Sequence, residues 1–293
     1  MINIRIPATT ANLGPGFDSL GIALNLYNKF TFEEISKELE IIGALDNEKD
    51  RDNLVYTSML RAFDFIGYKP KGIRIDIEAN IPVSRGLGSS STCILAGVMG
   101  ANSIAGSPLS IEDIFKLATE IEGHPDNIGP ALFGGFVTSL MEDNRVYYNK
   151  IDMAKGIKFV AIIPDFKLST KKAREVLPKN ISHKTAVENI SRVSLLISAL
   201  SNGKFDLLKP ALKDGLHQPY RGKLIKKFDE ILNKTYEFKA LGGYLSGGGP
   251  TIMAIVSQDN NSLKKEMESY FKSINYKWKV IELEIDLDGA KIY

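Results

Sequence analysis

Apolar residues at the start of the chain alternate with polar ones. Ile2, Ile4 and Ile6 stand against Asn3 and Arg5, the two-residue period of a strand. The period is clearest in GIRIDIEANI: Ile73, Ile75, Ile77, Ala79 and Ile81 face one way, Arg74, Asp76, Glu78 and Asn80 the other, and Pro82 stops it. KFVAIIP (158–164), TIMAIV (251–256) and KVIELEID (279–286) predict three further strands. Helical spacing takes over after the run SRGLGSSST, as far as Gly106, and again at Ile111, Ile114, Phe115, Leu117, Ala118 and Ile121. Ser110 with Asp113 three residues later announces the start of that second helix, and Gly123 its end. Val187, Ile190, Val193, Leu196, Ile197 and Leu200 predict another helix, and Ser262 to Phe271 a charged one. Strands and helices mix without a regular βαβ alternation, so the expected class is α+β rather than a doubly wound sheet.

The chain has 293 residues, about twice an ordinary domain, which predicts two domains. The polar stretch Glu142 to Lys155 is the expected boundary, dividing the chain into 1–154 and 155–293. Hydrophobic residues at 44% and charged residues at 25% describe a globular chain. Lys plus Arg at 37 against Asp plus Glu at 35 leaves a net charge of +2, too little for a nucleic-acid partner. Cys93 is the lone cysteine and there are three histidines without an HExxH, which argues against disulfides and a thiolate or histidine metal centre. The start lacks a secretory pattern, and the apolar stretch Cys93 to Ala105 is too short to span a bilayer. The expectation is a cytoplasmic protein with no membrane partner, and a homodimer as the default assembly.

Four segments could carry chemistry. The strongest is Pro82-Val83-Ser84-Arg85-Gly86-Leu87-Gly88-Ser89-Ser90-Ser91-Thr92, between a strand and a helix. A helix N-terminus offers unpaired N–H groups and the positive end of the peptide dipole, and glycines let backbone approach a phosphate. Serine hydroxyls can cap the helix, or one can reach a phosphate-bound cation. The plainer reading is a flexible turn with a serine cap. No GxxxxGK[ST] and no GxSxG occurs, and Ser91 stands where a dinucleotide fingerprint needs glycine. The second segment, GHPDN at 123–127, gathers an imidazole, a carboxylate and an amide in a tight turn beside Glu122. Asn12-Leu-Gly14-Pro-Gly16-Phe-Asp18 reads as a strained loop, and Gly247-Gly248-Gly249-Pro250 as permissive backbone before a strand.

In combination and order, PATTANLGPGFDSLGIAL, IPVSRGLGSSST and LSGGGPTIMAI resemble the three motifs of the GHMP kinase superfamily. Within it, ANLGPGFDSLG, EGHPDN, STKKAREVLP and PYRGKL resemble the homoserine kinases, from Ile4 to about Val256. The resemblance implies an N-terminal α+β domain that holds ATP and a C-terminal ferredoxin-like domain. It implies Mg²⁺-dependent transfer of the γ-phosphoryl group of ATP to the side-chain hydroxyl of L-homoserine, on the route to threonine.

On that footing the substrate carboxylate falls to Arg174 and Arg221, and its ammonium to Asp18. Asn12, His124, Asn127 and Thr170 complete the hydrogen-bonding shell. Residues 82–92 take the triphosphate, and Asn53 the adenosine end. Ser90 and Glu122 are the Mg²⁺ ligands, with Ser89 and Glu120 as alternatives the sequence does not separate. Asn127, Asp126 and Arg174 form the catalytic set. Asn127 stands where some members of the superfamily carry an aspartate base, so the expected mechanism lacks a strong protein base.

Overall fold

The structure, a computed structural model, describes every residue except 37–38 and 44–50. The N-terminal half runs β1 (Ile2–Ala11), β2 (Leu20–Glu34), β3 (Leu39–Ile42), α1 (Leu54–Ile66), β4 (Ile73–Glu78), α2 (Ser89–Ile104), α3 (Ile111–Glu122), α4 (Pro125–Phe133), β5 (Phe136–Glu142) and β6 (Arg145–Ile151). The C-terminal half runs β7 (Ile157–Ile163), α5 (Thr170–Glu175), α6 (His183–Asn202), α7 (Leu208–Ala211), α8 (Gln218–Arg221), α9 (Phe228–Glu237), β8 (Gly242–Leu245), β9 (Ile252–Ser257), α10 (Leu263–Ser273), β10 (Lys279–Leu283) and β11 (Lys291–Ile292).

The first sheet has the order β11-β1-β2-β4-β3, and the long β2 also pairs β5, which pairs β6. Among its described pairings only β3 with β4 is parallel. Isoleucines 73, 75 and 77 of β4 join Ile4, Ile6, Phe30 and Phe32 in a core shared with helices α1 to α4. The second sheet has the order β10-β7-β9-β8 and is antiparallel throughout. Taken in chain order its strands lie 4-1-3-2 with helices between, the ferredoxin-like arrangement. Among the described residues no helix is long and apolar enough to cross a membrane.

Local signals explain the helix ends that matter for the site. Ser110 and Asp113 make a full capping box, and Gly123 ends α3 in the left-handed conformation (φ 88°). α2 differs from the expected serine-capped helix: Gly88 is its N-cap at φ 73°, and the serines lie inside its first turn. The segment at 123–127 is not a tight turn either. His124 is an N-cap and Pro125 opens α4, because proline's missing N–H costs nothing at that position.

The polar stretch 142–155 is mostly strand rather than linker. β6 is an edge strand whose side chains are largely exposed, so its composition resembles that of a loop. Nor does the second half stay apart: β11 pairs β1, and one core joins Ala8, Leu20 and Ile22 to Phe159, Leu196 and Tyr244.

Candidate active site

A cleft of about 330 Å³ opens where the two halves meet. Its walls are the loop before α2, the end of α3, the start of α4, Thr170 at the head of α5, and Gly247-Gly248 between β8 and β9. The glycine-rich segments touch directly. A Cβ on Gly86 would lie 2.3 Å from the Ser246 carbonyl oxygen, and Ser246 Oγ donates to the Gly86 carbonyl at 2.6 Å. The Gly247 amide donates to the Ala11 carbonyl and the Thr251 amide to that of Arg85. The segments at 86–88 and 247–248 thus form one wall of the cleft, and the first glycine-rich segment is tied to it from behind.

The first N–H groups of α2 lack intrahelical partners, as at any helix start. Ser90 Oγ donates to Glu122 Oε2 at 3.2 Å and Ser91 Oγ to Glu122 Oε1 at 2.6 Å. Burial raises the Glu122 pKa above its ordinary value, against the opposing pull of His124 and the two serines. A half-buried carboxylate with two hydroxyls beside it is a donor set suited to a hard cation. Glu120 lies elsewhere, exposed and 3.8 Å from Lys116, so the geometry favours Glu122. Ser89 does line the cleft, but Ser91 is the second hydroxyl at the carboxylate.

Val83, Ser84, Arg85, Gly86, Gly88 and Ser90 line the cleft as well. Arg85 commits its guanidinium to the carbonyls of Pro164, Asp165 and Val83. Pro82, Leu87 and Thr92, expected at the nucleotide, do not line the cleft. Leu87 is wholly buried, and Thr92 Oγ1 donates to the Ser89 carbonyl while accepting from Asn28 Nδ2. Asn53 borders the cleft, where its Oδ1 caps α1 by accepting from the Val55 and Tyr56 amides.

The substrate candidates gather beside this phosphate end. Arg174 and Asp18 form a bidentate pair with each other, while the expectation gave them to opposite ends of a ligand. Arg221 is buried and donates to the Ala173 and Gly247 carbonyls. Its pKa is lowered to about 10, chiefly by burial and then by the charge of Arg174. Both guanidinium carbons lie over the Phe17 ring, at 5.5 Å for Arg174 and 5.0 Å for Arg221. Two mutually repelling cations in a partly dry site make a receptor for an anion. Asn12 acts as a strut: its Oδ1 accepts from the Asp18 amide and its Nδ2 donates to the Gly247 carbonyl.

His124 Nδ1 lies 2.6 Å from Asp126 Oδ1, which also accepts from Asn127 Nδ2 at 3.3 Å. Asp126 therefore faces the cluster, with ligand atoms of Asp18, His124 and Asp126 all within 4.8 Å of one another. Burial opposes charge on His124, but the Asp126 hydrogen bond and the charges of Asp126 and Glu122 prevail and raise its pKa.

Three contributors were not legible in the sequence. Asn28 Oδ1 accepts from the Asn80 and Ile81 amides and so shapes the loop before α2. His217 Nε2 donates to the Gly14 carbonyl at 2.8 Å, leaving Nδ1 toward Arg221 Nη1 at 3.4 Å. Thr9 Oγ1 donates to Asn127 Oδ1. The HxxxR spacing of His217 and Arg221 within one helical turn was the single available hint.

Known proteins share this fold. The family model for the GHMP kinases N terminal domain matches residues 53–135, and that for the GHMP kinases C terminal domain matches 196–273. A homoserine kinase of Clostridium beijerinckii is 50% identical, over 100% of this chain and 98% of the relative. One of Clostridium botulinum is 49% identical over 100% and 98%. The crystal structure of a homoserine kinase from Cytophaga hutchinsonii superposes with a TM-score of 0.87 at 29% identity, covering 100% of this chain and 97% of that one. An L. major mevalonate kinase in complex with R-mevalonate, 15% identical with a TM-score of 0.73 over 97% and 95%, shares the fold. With half its residues identical to these relatives along the whole length, the chain belongs to the homoserine kinase family of the GHMP kinases.

Proposed function

We propose that the protein transfers the γ-phosphoryl group of ATP to the side-chain hydroxyl of L-homoserine, giving O-phospho-L-homoserine on the route to threonine. The observation that carries this reading is the adjacency of two receptors, one lining the cleft and the other beside it, next to His124 and Thr170. The start of α2 and Glu122 suit a cation-bound polyphosphate, and the Asp18–Arg174–Arg221 cluster suits an amino-acid zwitterion.

In this reading the N–H groups opening α2 receive the triphosphate, and Glu122 with Ser90 and Ser91 holds Mg²⁺. When bound, Mg²⁺ supplies charge neutralisation and orientation of the phosphates. Asp18 accepts the substrate ammonium, and Arg174 and Arg221 take its carboxylate. Phosphoryl transfer has a loose transition state, so positioning contributes more than a strong base. Asn127 cannot take a proton. It orients the hydroxyl, whose proton leaves to a phosphoryl oxygen or to water.

ADP release from Mg-ATP, with homoserine, serine, threonine and mevalonate in parallel, tests the assignment. Homoserine should be preferred, because mevalonate has a carboxylate but no ammonium for Asp18. Preference for mevalonate would reject the substrate while leaving the family untouched. A cytoplasmic location fits the single cysteine.

A further inference from the structure

We propose that Thr9 is a positioning residue for phosphoryl transfer, its hydroxyl anchoring the Asn127 amide in the orientation that the Asp126 carboxylate selects. This deepens the kinase reading above and rests on it. Thr9 is wholly buried on β1, and its Oγ1 donates to Asn127 Oδ1 at 2.8 Å. At the other end of the amide, Asn127 Nδ2 reaches Asp126 Oδ1 at 3.3 Å. A carboxylate only accepts, so the NH₂ end of Asn127 must face Asp126 and its carbonyl must face a donor. Thr9 is that donor, and it stands 118 residues away in sequence.

The consequence concerns the reacting hydroxyl. With Oδ1 occupied by Thr9, Asn127 offers the cleft its second Nδ2 proton, a donor rather than an acceptor. A donor on one lone pair of the substrate hydroxyl leaves another lone pair for phosphorus. The new O–P bond forms as the bond to the ADP oxygen breaks. The hydroxyl proton then goes to a phosphoryl oxygen or to water, since an amide is too weak a base to keep it.

Thr9 also touches the phosphate loop. Its amide donates to the Leu87 carbonyl at 3.1 Å, and a Cβ on Gly88 would lie 2.0 Å from Thr9 Oγ1. One residue therefore sets the spacing between the start of α2 and Asn127. The bland alternative is a buried threonine that merely satisfies a buried amide, which predicts a loss of stability with no selective loss of turnover.

The test is a steady-state and thermal-melting series on the full chain. Thr9→Val keeps the shape and removes the donor. It should lower kcat on the order of 10-fold, with both KM values changed by less than about threefold. Thr9→Ser should return the larger part of kcat. In an Asn127→Ala background, Thr9→Val should add little further loss. If Thr9→Val does not fold, Thr9→Ala against Thr9→Ser makes the same comparison. Full kcat in the variant lacking the hydroxyl overturns the proposal, as does an equal further loss in the Asn127→Ala background. Wild-type protein that phosphorylates another alcohol rejects homoserine alone, and the series is then read with that alcohol. Wild-type protein with no kinase activity rejects both.

Discussion

Arg174 and Asp18 meet through two parallel hydrogen bonds, Nη1 to Oδ2 at 2.9 Å and Nη2 to Oδ1 at 2.7 Å, joining α5 to the loop after β1. Both side chains are about a third exposed, so solvent screens the pair and its net worth is small. A zwitterion can therefore replace it at little cost, its ammonium taking Asp18 and its carboxylate Arg174.

Asp18→Asn should raise the KM for homoserine by about 10- to 100-fold, the loss of a charged hydrogen bond, and leave the KM for ATP nearly unchanged. Steady-state kinetics with each substrate varied separately decides this. A parallel rise in both constants would place Asp18 outside the amino-acid subsite.

Glu122 carries a stability penalty in the folded chain when no cation is bound. Burial raises its folded pKa above the ordinary 4.5, so the cost of the charged form grows as pH rises through that region and persists above it. Glu122→Gln, neutral at every pH, should melt no lower than wild type at pH 7–8 without divalent cations. Turnover should nonetheless fall by roughly 100-fold, as when a ligand and its orientation are lost. Only wild type should gain stability from added Mg²⁺ and nucleotide. A variant that melts lower and still responds to Mg²⁺ would refute the ligand role.

His124 shares that pH direction but contributes stability where Glu122 costs it. Its folded pKa lies above 6.5, so its contribution is complete below that value and is lost as pH rises through the folded pKa. The melting-temperature gap between wild type and His124→Gln should be widest in mildly acidic buffer and narrow past neutrality. A gap independent of pH would contradict the His124–Asp126 pairing.

Gly88→Ala forces a Cβ onto Thr9 Oγ1 at a backbone φ of 73°, where an L side chain costs about 1 kcal/mol before any clash. The start of α2 must shift. Nucleotide-dependent thermal stabilisation should shrink by more than the melting temperature of the free protein does. Unchanged nucleotide stabilisation would argue that the phosphates bind away from α2.

Local physics made much of the fold legible. The alternation of Ile73, Ile75 and Ile77, the Ser110–Asp113 capping box and the left-handed Gly123 depend on neighbours a few residues away. The glycine-serine loop announced itself for the same reason, since Gly86 and Gly88 sit at φ 76° and 73°, which glycine adopts most readily. β6 misled because an exposed edge strand buries too little to show a period.

Sequence by itself determined the chemical inventory of this protein: two arginines, buried-type amides and carboxylates, and a helix start built for anions. Tertiary structure alone decided the partnerships within it. Glu120 and Glu122 sit two residues apart on α3 and so face different sides, and only the packing of α3 beside α2 brings Glu122 to Ser90 and Ser91. Asp18 finds Arg174 across 156 residues because the two sheets share one core along Ala8, Ile22, Phe159 and Leu196, and Thr9 finds Asn127 across 118 because α4 packs against β1. Distances of that kind are set by how the elements close on one another, which no short-range pattern encodes.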